Sequence, residues 1–166
     1  MNTELWNQHQ VDIIYGAMRS HVYYKVLLNQ YLEKDIKNVF WKDTIDAHII
    51  QFILKWSILF GKDDNKYHWK KIITDPNEQN ELRDKIYNQF SGNKNEWADY
   101  RQSFLSFRDK YVAHRDLSYP PTPYTENALN ILFLYDDFIR KIQRDQYQNT
   151  FKDPRIKKMY ENLEKK

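Results

Sequence analysis

The chain has 166 residues, which is enough for one domain with its own core and too few for two ordinary domains. Hydrophobic residues make up 41% and charged residues 30% of it, as in soluble globular proteins, and its formal net charge of +3 is too small for a dedicated nucleic-acid-binding domain. Cysteine is absent from the sequence, which excludes disulfide bonds and thiolate metal sites.

Neither the N-terminus nor the most apolar stretch of the chain predicts targeting to a membrane. The first four residues lack the basic and apolar regions of a secretory signal. The most apolar stretch, 49–60, is interrupted by Gln51 and Lys55 and is too short to span a bilayer, so it predicts a buried helix. We therefore expect a cytoplasmic protein that does not associate with membranes.

In the first part of the chain, apolar residues recur at helical spacing and predict two long helices. The first covers about 3–32. The second covers about 42–60, with Gly61 as its C-terminal cap. After one or two helical turns near 67–73, Asp75 is placed to cap a third helix, with Pro76 in the first turn and Glu78 completing a capping box. This third helix is predicted to end at 91–92.

The second half of the chain predicts three more helices. One covers about 95–113, and a proline-rich break at 119–123 follows it. The next begins at 122 or 125, and a short terminal helix begins at Asp153. The sequence therefore predicts an all-α, up-and-down bundle of four to five main helices plus short ones. Residues 1–148 form the bundle, and residues 149–166 form a charged C-terminal helix or tail of the same domain, whose basic side chains face solvent.

The residues most informative about function lie at the end of the helix predicted over 95–113, where 108–114 read Arg-Asp-Lys-Tyr-Val-Ala-His. Histidine titrates near neutral pH and can move a proton, whereas arginine keeps its charge and matches phosphate with a planar fork of donors. On an ideal α-helix Arg108 and His114 lie about 120° apart around the axis and about 9 Å apart along it. Two copies meeting across a two-fold axis bring all four groups into one cleft.

These residue types fit metal-independent cleavage of RNA, which requires a general base, a general acid and stabilisation of the phosphorane. His114 is the candidate acid or base, and Arg108 is the candidate phosphate clamp. Asp109 either orients one of them or is an exposed helix charge. Tyr111 and Arg115 are supporting candidates, the first for contact with a base and the second for contact with a phosphate. No metal and no cofactor is expected.

The arginine, the polar residue after it and the histidine four to six positions later resemble the motif of HEPN-domain ribonucleases. The resemblance covers residues 3–145 in helical layout and is closest to stand-alone HEPN proteins of bacterial toxin and phage-defence systems. It implies an RNA-cleaving homodimer, with an antitoxin protein as a further partner. Some HEPN toxins are modified on a tyrosine two residues after the histidine. That position is Asp116 in this chain, so silencing by this route is not expected.

Several other features of the sequence resemble functional motifs but favour structural roles. The tripeptide 114–116 matches a kinase catalytic loop, but the chain has no glycine-rich loop and no Asp-Phe-Gly. His48 and His68 lack metal-ligand spacing and are predicted to pack on a helix face and in a capping turn, respectively. Asp136 and Asp137 are predicted to face solvent. Most aromatic residues are assigned to the core and a dimer interface.

A second hypothesis for the whole chain remains open. It is a non-catalytic helical domain that dimerises or binds a nucleotide or a partner protein, in which Arg108 and His114 are structural.

Overall fold

The structure, a computed structural model, describes residues 3–34, 38–113, 120–147 and 156–164. It is all-α and 82% helical, with about five main helices packed together, which confirms the predicted fold class. The helices are α1 (Thr3–Glu33), α2 (Val39–Phe60), α3 (Trp69–Ile72), α4 (Pro76–Asn88), α5 (Lys94–Phe107), α6 (Glu126–Tyr147) and α7 (Ile156–Glu164). A π-helical segment, Arg108–Ala113, continues α5. Across the described residues, no helix is both long and apolar enough to cross a membrane.

Large aromatic side chains fill the core between the helices. α1 packs mainly along α2, while α4 contacts both α5 and α6. The rings of Trp56 and Phe104 lie 4.4 Å apart between α2 and α5, and the rings of Phe60 and Tyr135 lie 5.3 Å apart between α2 and α6. Complete burial of a large apolar side chain contributes about 1.5–3 kcal/mol. These contacts therefore account for much of the stability that holds α5 and its π-helical extension in place.

Polar side chains set the beginnings of the helices. The side chain of Asp75 accepts hydrogen bonds from the backbone N–H groups of Asn77 and Glu78, and Pro76 stands in the first turn, as predicted. α2 begins three residues earlier than the predicted 42, because the side chain of Asn38 accepts a hydrogen bond from the backbone N–H of Phe40 at 2.8 Å. A cap of this kind stabilises a helix by about 1 kcal/mol.

Gly61 ends α2, as predicted, but it does so without the left-handed conformation that is common at helix ends, since its φ is −76°. Its backbone N–H donates to the carbonyl of Ser57 at 2.9 Å. A Cβ atom at this position would lie 2.2 Å from that same carbonyl oxygen. The chain therefore needs glycine here because of a close backbone approach.

A tyrosine on α5 fixes the beginning of α6. The hydroxyl of Tyr100 donates to the carbonyl of Tyr124 and accepts a hydrogen bond from the backbone N–H of Ala128 at 2.8 Å. That N–H belongs to the first turn of α6, where helices lack internal acceptors. The helix that carries the Arg108 segment is thus tied to the beginning of α6.

The prediction that Asp136 faces solvent is wrong. The Asp136 carboxylate is buried on α6, and both of its oxygens accept from Nε of Arg140 at 3.0 Å. Residues four apart lie on the same face of a helix, so the arginine reaches the carboxylate within the core. Asp137, one residue on, is exposed as predicted.

Candidate functional site

The helix that carries the Arg-Asp motif changes its winding at the motif itself. α5 is α-helical up to Phe107, and the chain then follows a π-helix from Arg108 to Ala113. A π-helix has a wider turn, with hydrogen bonds from residue i to residue i+5, and it occurs often at functional sites. The angle and rise predicted for Arg108 and His114 on an ideal α-helix therefore do not apply. His114 and Arg115 lie outside the described residues.

Arg108 and Asp109 form an ion pair at the protein surface. Nε and Nη2 of Arg108 lie 2.8 and 2.6 Å from Oδ1 of Asp109. The side chains keep 23% and 47% of their surface exposed, respectively, so solvent reaches both partners. Asp109 is therefore placed to orient the guanidinium, and its role in function stays a prediction. A phosphate presents the same kind of anionic oxygen to a guanidinium and can take the place of the carboxylate.

Tyr111 lies on the side of the π-helical segment that faces α2. Its ring packs 4.9 Å from the ring of Phe107, and it borders a groove of about 440 Å³ together with Asp43, Asp46, Ala47 and Ile50 of α2. Arg108 does not line this groove. The structure therefore brings Arg108 and Asp109 together and places Tyr111 elsewhere, beside two carboxylates that repel a phosphate.

The described residues contain no group of three or more histidine, cysteine, aspartate or glutamate side chains that could hold a metal ion. The two histidines considered as metal ligands have other partners. The ring of His48 packs edge-on against Tyr23 at 5.2 Å. Nδ1 of His68 accepts from the backbone N–H of Lys70 at the beginning of α3. The predicted packing and capping roles of these histidines are confirmed.

His21 is a buried histidine that the sequence analysis did not identify. Its Nδ1 lies 3.2 Å from the hydroxyl of Tyr160 on α7, and its Nε2 lies 2.9 Å from the hydroxyl of Thr125 before α6. Burial lowers the pKa of His21 to about 4, a shift that Glu126 opposes and Lys25 adds to. The ring is therefore neutral at pH 7. It joins three distant parts of the chain, and the sequence contains no periodic signal for contacts over such separations.

A second cavity, also missed from the sequence, lies beside α3, α4 and α5. We call it the basic pocket. Its volume is about 330 Å³, and its charged lining includes the basic residues Lys62, Lys70, Arg83 and Arg101 together with Asp63. The basic residues are scattered over forty positions of the sequence, so only the fold reveals that they converge.

Comparisons with known proteins add no match to this description. No protein-family model matches the chain. Neither the curated proteins nor the solved structures yield a match. The function proposed below therefore rests on the residues of this chain and on the resemblance of its motif.

Proposed function

We propose that the chain is a metal-independent endoribonuclease of HEPN type, which acts as a homodimer and serves as a toxin or an antiphage effector. The observation that carries the proposal is the Arg108 side chain. It is held at the surface by Asp109, on a π-helical segment that ends one residue before His114. Arginine at such a position can bind a phosphate from solvent, and the adjacent histidine supplies a group that titrates near neutral pH.

The proposed reaction needs only protein side chains. One His114 removes the proton from a ribose 2′-hydroxyl, and the 2′-oxygen attacks the adjacent phosphorus. The bond from phosphorus to the 5′-oxygen breaks, and that oxygen takes a proton from the second His114 of the dimer. The products are a 2′,3′-cyclic phosphate and a free 5′-hydroxyl. Arg108 stabilises the extra negative charge of the phosphorane, a contribution worth about 2.7–4 kcal/mol for one well-placed donor.

The dimer is part of the proposal because a single motif supplies one histidine, whereas this reaction uses a base and an acid. A two-fold axis beside the motif duplicates both groups in one cleft. We expect a dimer by analytical ultracentrifugation at micromolar concentration, with the π-helical segments at or near the interface. A monomer that still cleaves RNA contradicts this arrangement.

Incubation of the purified protein with RNA in excess EDTA tests the proposal. We expect cleavage to continue under chelation and to leave 2′,3′-cyclic phosphate ends. Arg108→Ala and His114→Ala are expected to lower the cleavage rate by about 100-fold or more and to abolish toxicity. We expect both variants to express at least as well as the wild type and to melt at the same or a higher temperature, because a cleft residue held for function contributes little to folding.

Two matched variants control for the loss of an arginine or a histidine. Arg144 is an exposed residue of α6 that is not part of the motif, and His48 packs against Tyr23. Arg144→Ala and His48→Ala are expected to retain activity. RNA breakdown that stops with EDTA and returns with a divalent ion contradicts the mechanism, as does a His114→Ala protein that melts much lower and keeps full activity.

The second candidate is a non-catalytic domain that dimerises or binds a partner. The observation that favours it is a group of exposed apolar side chains at the junction of α1 and α2, which comprises Leu32, Val39 and Phe40. Exposed apolar groups of this kind mark interaction surfaces. A dimer that leaves RNA intact, and that dissociates with Phe40→Ser, supports this candidate over the ribonuclease.

A further inference from the structure

The basic pocket combines an excess of positive charge with aromatic walls. Four cationic side chains line it, from Lys62, Lys70, Arg83 and Arg101, against the single carboxylate of Asp63. His68, which also lines it, is buried, and its burial lowers its pKa to about 4 against the opposing effect of Asp63. The histidine is therefore neutral at pH 7, and the pocket keeps a clear positive excess.

Arg101 is held rigidly in the wall of this pocket. Its Nε donates to the carbonyls of Phe60 at 2.8 Å and Gly61 at 3.2 Å, and its Nη2 also donates to Gly61. These carbonyls lie at the C-terminal end of α2, where a positive charge is favourable. A guanidinium has five N–H donors, so these bonds leave the donors of Nη1 for another acceptor. The charge is fixed in place before any ligand arrives.

Two further cations are placed over the ring of Trp69. Nζ of Lys70 lies 5.8 Å and the guanidinium carbon of Arg83 lies 6.0 Å from the ring centre. Lys70 also donates to Asp63 at 2.6 Å, which uses the one carboxylate of the pocket internally. The ring of the buried tryptophan thus has two positive groups close to it. Lys62 is the fourth cation of the pocket, and it is exposed to solvent.

Tyr87 and Trp97 supply the aromatic part of the lining. Both side chains are only half-buried, so part of each ring is accessible from the pocket. Nucleic-acid bases stack on accessible aromatic rings, and any base can do so because every base has a π-face. The pocket therefore offers contacts for a flat aromatic group and for an anion in one cavity.

We propose that the basic pocket binds a nucleoside di- or triphosphate, with the phosphates at Lys62, Arg83 and Arg101 and the base against Tyr87 or Trp97. The number of cations favours a polyphosphate over an RNA strand, because each phosphate of a strand carries a single charge and this pocket gathers four positive groups. The volume of about 330 Å³ lies within the range of small-molecule sites.

The basic pocket is separate from the segment that carries the proposed ribonuclease site. Arg101 and Arg108 are seven residues apart, which separates them by about 10 Å along the axis of α5. No residue of the Arg108–Ala113 segment lines the basic pocket. We therefore expect Arg108→Ala to bind the nucleotide as the wild type does, even when it cleaves no RNA.

Isothermal titration calorimetry of the full chain tests the inference, with ATP, GTP, inorganic triphosphate and adenosine as separate probes. We expect ATP or GTP to bind, inorganic triphosphate to bind more weakly, and adenosine to bind weakest. Arg83→Ala and Lys62→Ala are each expected to weaken nucleotide binding by at least about tenfold, since each removes a charged hydrogen-bond donor to the phosphates. Tyr87→Ala is expected to weaken binding of the nucleotide and to leave binding of inorganic triphosphate unchanged.

Lys42→Ala is the matched control, because Lys42 is an exposed lysine on α2 that does not line the pocket. It is expected to bind as the wild type does, and melting temperatures of all variants confirm that they are folded. Equal affinities of the wild type, Arg83→Ala and Lys62→Ala overturn the inference. Binding of a single-stranded oligonucleotide with hydroxyl ends, in the absence of any binding of ATP or GTP, also overturns it.

Discussion

Two ion pairs of arginine and aspartate within this chain lie in opposite surroundings. Arg140 and Asp136 on α6 meet at 3.0 Å with 8% and 2% of their side chains exposed. Arg108 and Asp109 meet at 2.6 Å with 23% and 47% exposed. Burial makes the first pair a permanent part of the core. Exposure leaves the second pair open to exchange, so a phosphate can replace its carboxylate.

The comparison shows that the chemistry of a residue pair does not by itself predict its role. A buried ion pair has already lost its hydration, and removal of either partner leaves an uncompensated charge. An exposed pair returns to water at little cost. Arg101 is a third case, because its hydrogen bonds go to backbone carbonyls that cannot leave, while the Asp63 carboxylate lies further away, at 4.0 Å. The proposed ribonuclease uses Arg108, the arginine of the three whose partner can be displaced by a phosphate.

The largest effect is expected from the buried pair. Asp136→Ala leaves the Arg140 guanidinium in the core without its carboxylate, so we expect the free energy of unfolding to fall by about 3–5 kcal/mol. Urea denaturation monitored by circular dichroism measures it. Asp137→Ala, one residue on and exposed, is the control and is expected to stay within about 0.5 kcal/mol. A loss below about 1 kcal/mol for Asp136→Ala removes the distinction between the two pairs.

The burial of His21 makes the stability of the chain depend on pH. His21 has a pKa of about 4 in the folded chain and an ordinary value of 6.5 when it is exposed. Below pH 6.5 the unfolded chain binds a proton that the folded chain does not. The free energy of unfolding therefore falls as the pH drops from about 6.5 towards 4, and it is unaffected by this group above that range.

We expect the contribution of His21 to this fall to be about 1–3 kcal/mol between pH 7 and pH 4.5. Urea denaturation at a series of pH values measures the slope. His21→Gln removes the titrating group and is expected to flatten the slope, leaving the part due to His68, whose pKa is also lowered to about 4. An unchanged slope in His21→Gln indicates that the ring is accessible to protons in the folded chain.

An intermediate loss of stability is expected when Arg101 is replaced. Arg101→Ala deprives the carbonyls of Phe60 and Gly61 of their donors, so we expect a loss of stability of about 1–3 kcal/mol. Arg144→Ala provides the exposed reference on α6. Thermal melting of the two variants compares them directly. If the two variants melt at the same temperature, the backbone contacts of Arg101 stabilise the chain no more than a surface arginine does.

The smallest effect on stability is expected at Asp109. Asp109→Asn removes an exposed ion pair, so the free energy of unfolding changes by less than about 1 kcal/mol. The cleavage rate is expected to fall by about tenfold, because the guanidinium of Arg108 is kept but is less well oriented. Lys110→Ala, the next residue on the same segment, controls for the substitution. A stability loss comparable to that of Asp136→Ala contradicts the comparison of the two pairs.

The sequence was sufficient to predict those features that depend on local spacing. The helical periodicity of α1 and α2 and the Asp75–Pro76 beginning of α4 follow from neighbouring residues, and all three are observed. The beginning of α2 was placed too late because the cap at Asn38 depends on one side chain. Asp136 was misassigned because its charge indicates solvent, whereas only the packing of α6 shows that Arg140 accompanies it into the core.

Features that depend on distant residues could not be predicted. The partners of His21 lie 104 and 139 positions further along the chain, and the cations of the basic pocket come from the loop after α2 and from α3, α4 and α5. For the motif itself, the sequence offered Arg108 and its neighbour Asp109 as candidates, and their side chains are in contact. It contained no sign of the change from α- to π-helix, because propensity is defined for the α-helix and a wide turn is imposed by packing.

The π-helical segment also sets the angle at which its own last residues face the bundle. A π-helical stretch accommodates residues that a continuous α-helix would have turned further around its axis. Removing one residue, such as Lys110, allows the segment to return to the more stable α-helix. The residues of the segment after the deletion then turn by about 100° around the helix axis. A shorter and better-formed helix would therefore turn Val112 away from the core against which it now packs, so the packing of this segment depends on a single extra residue.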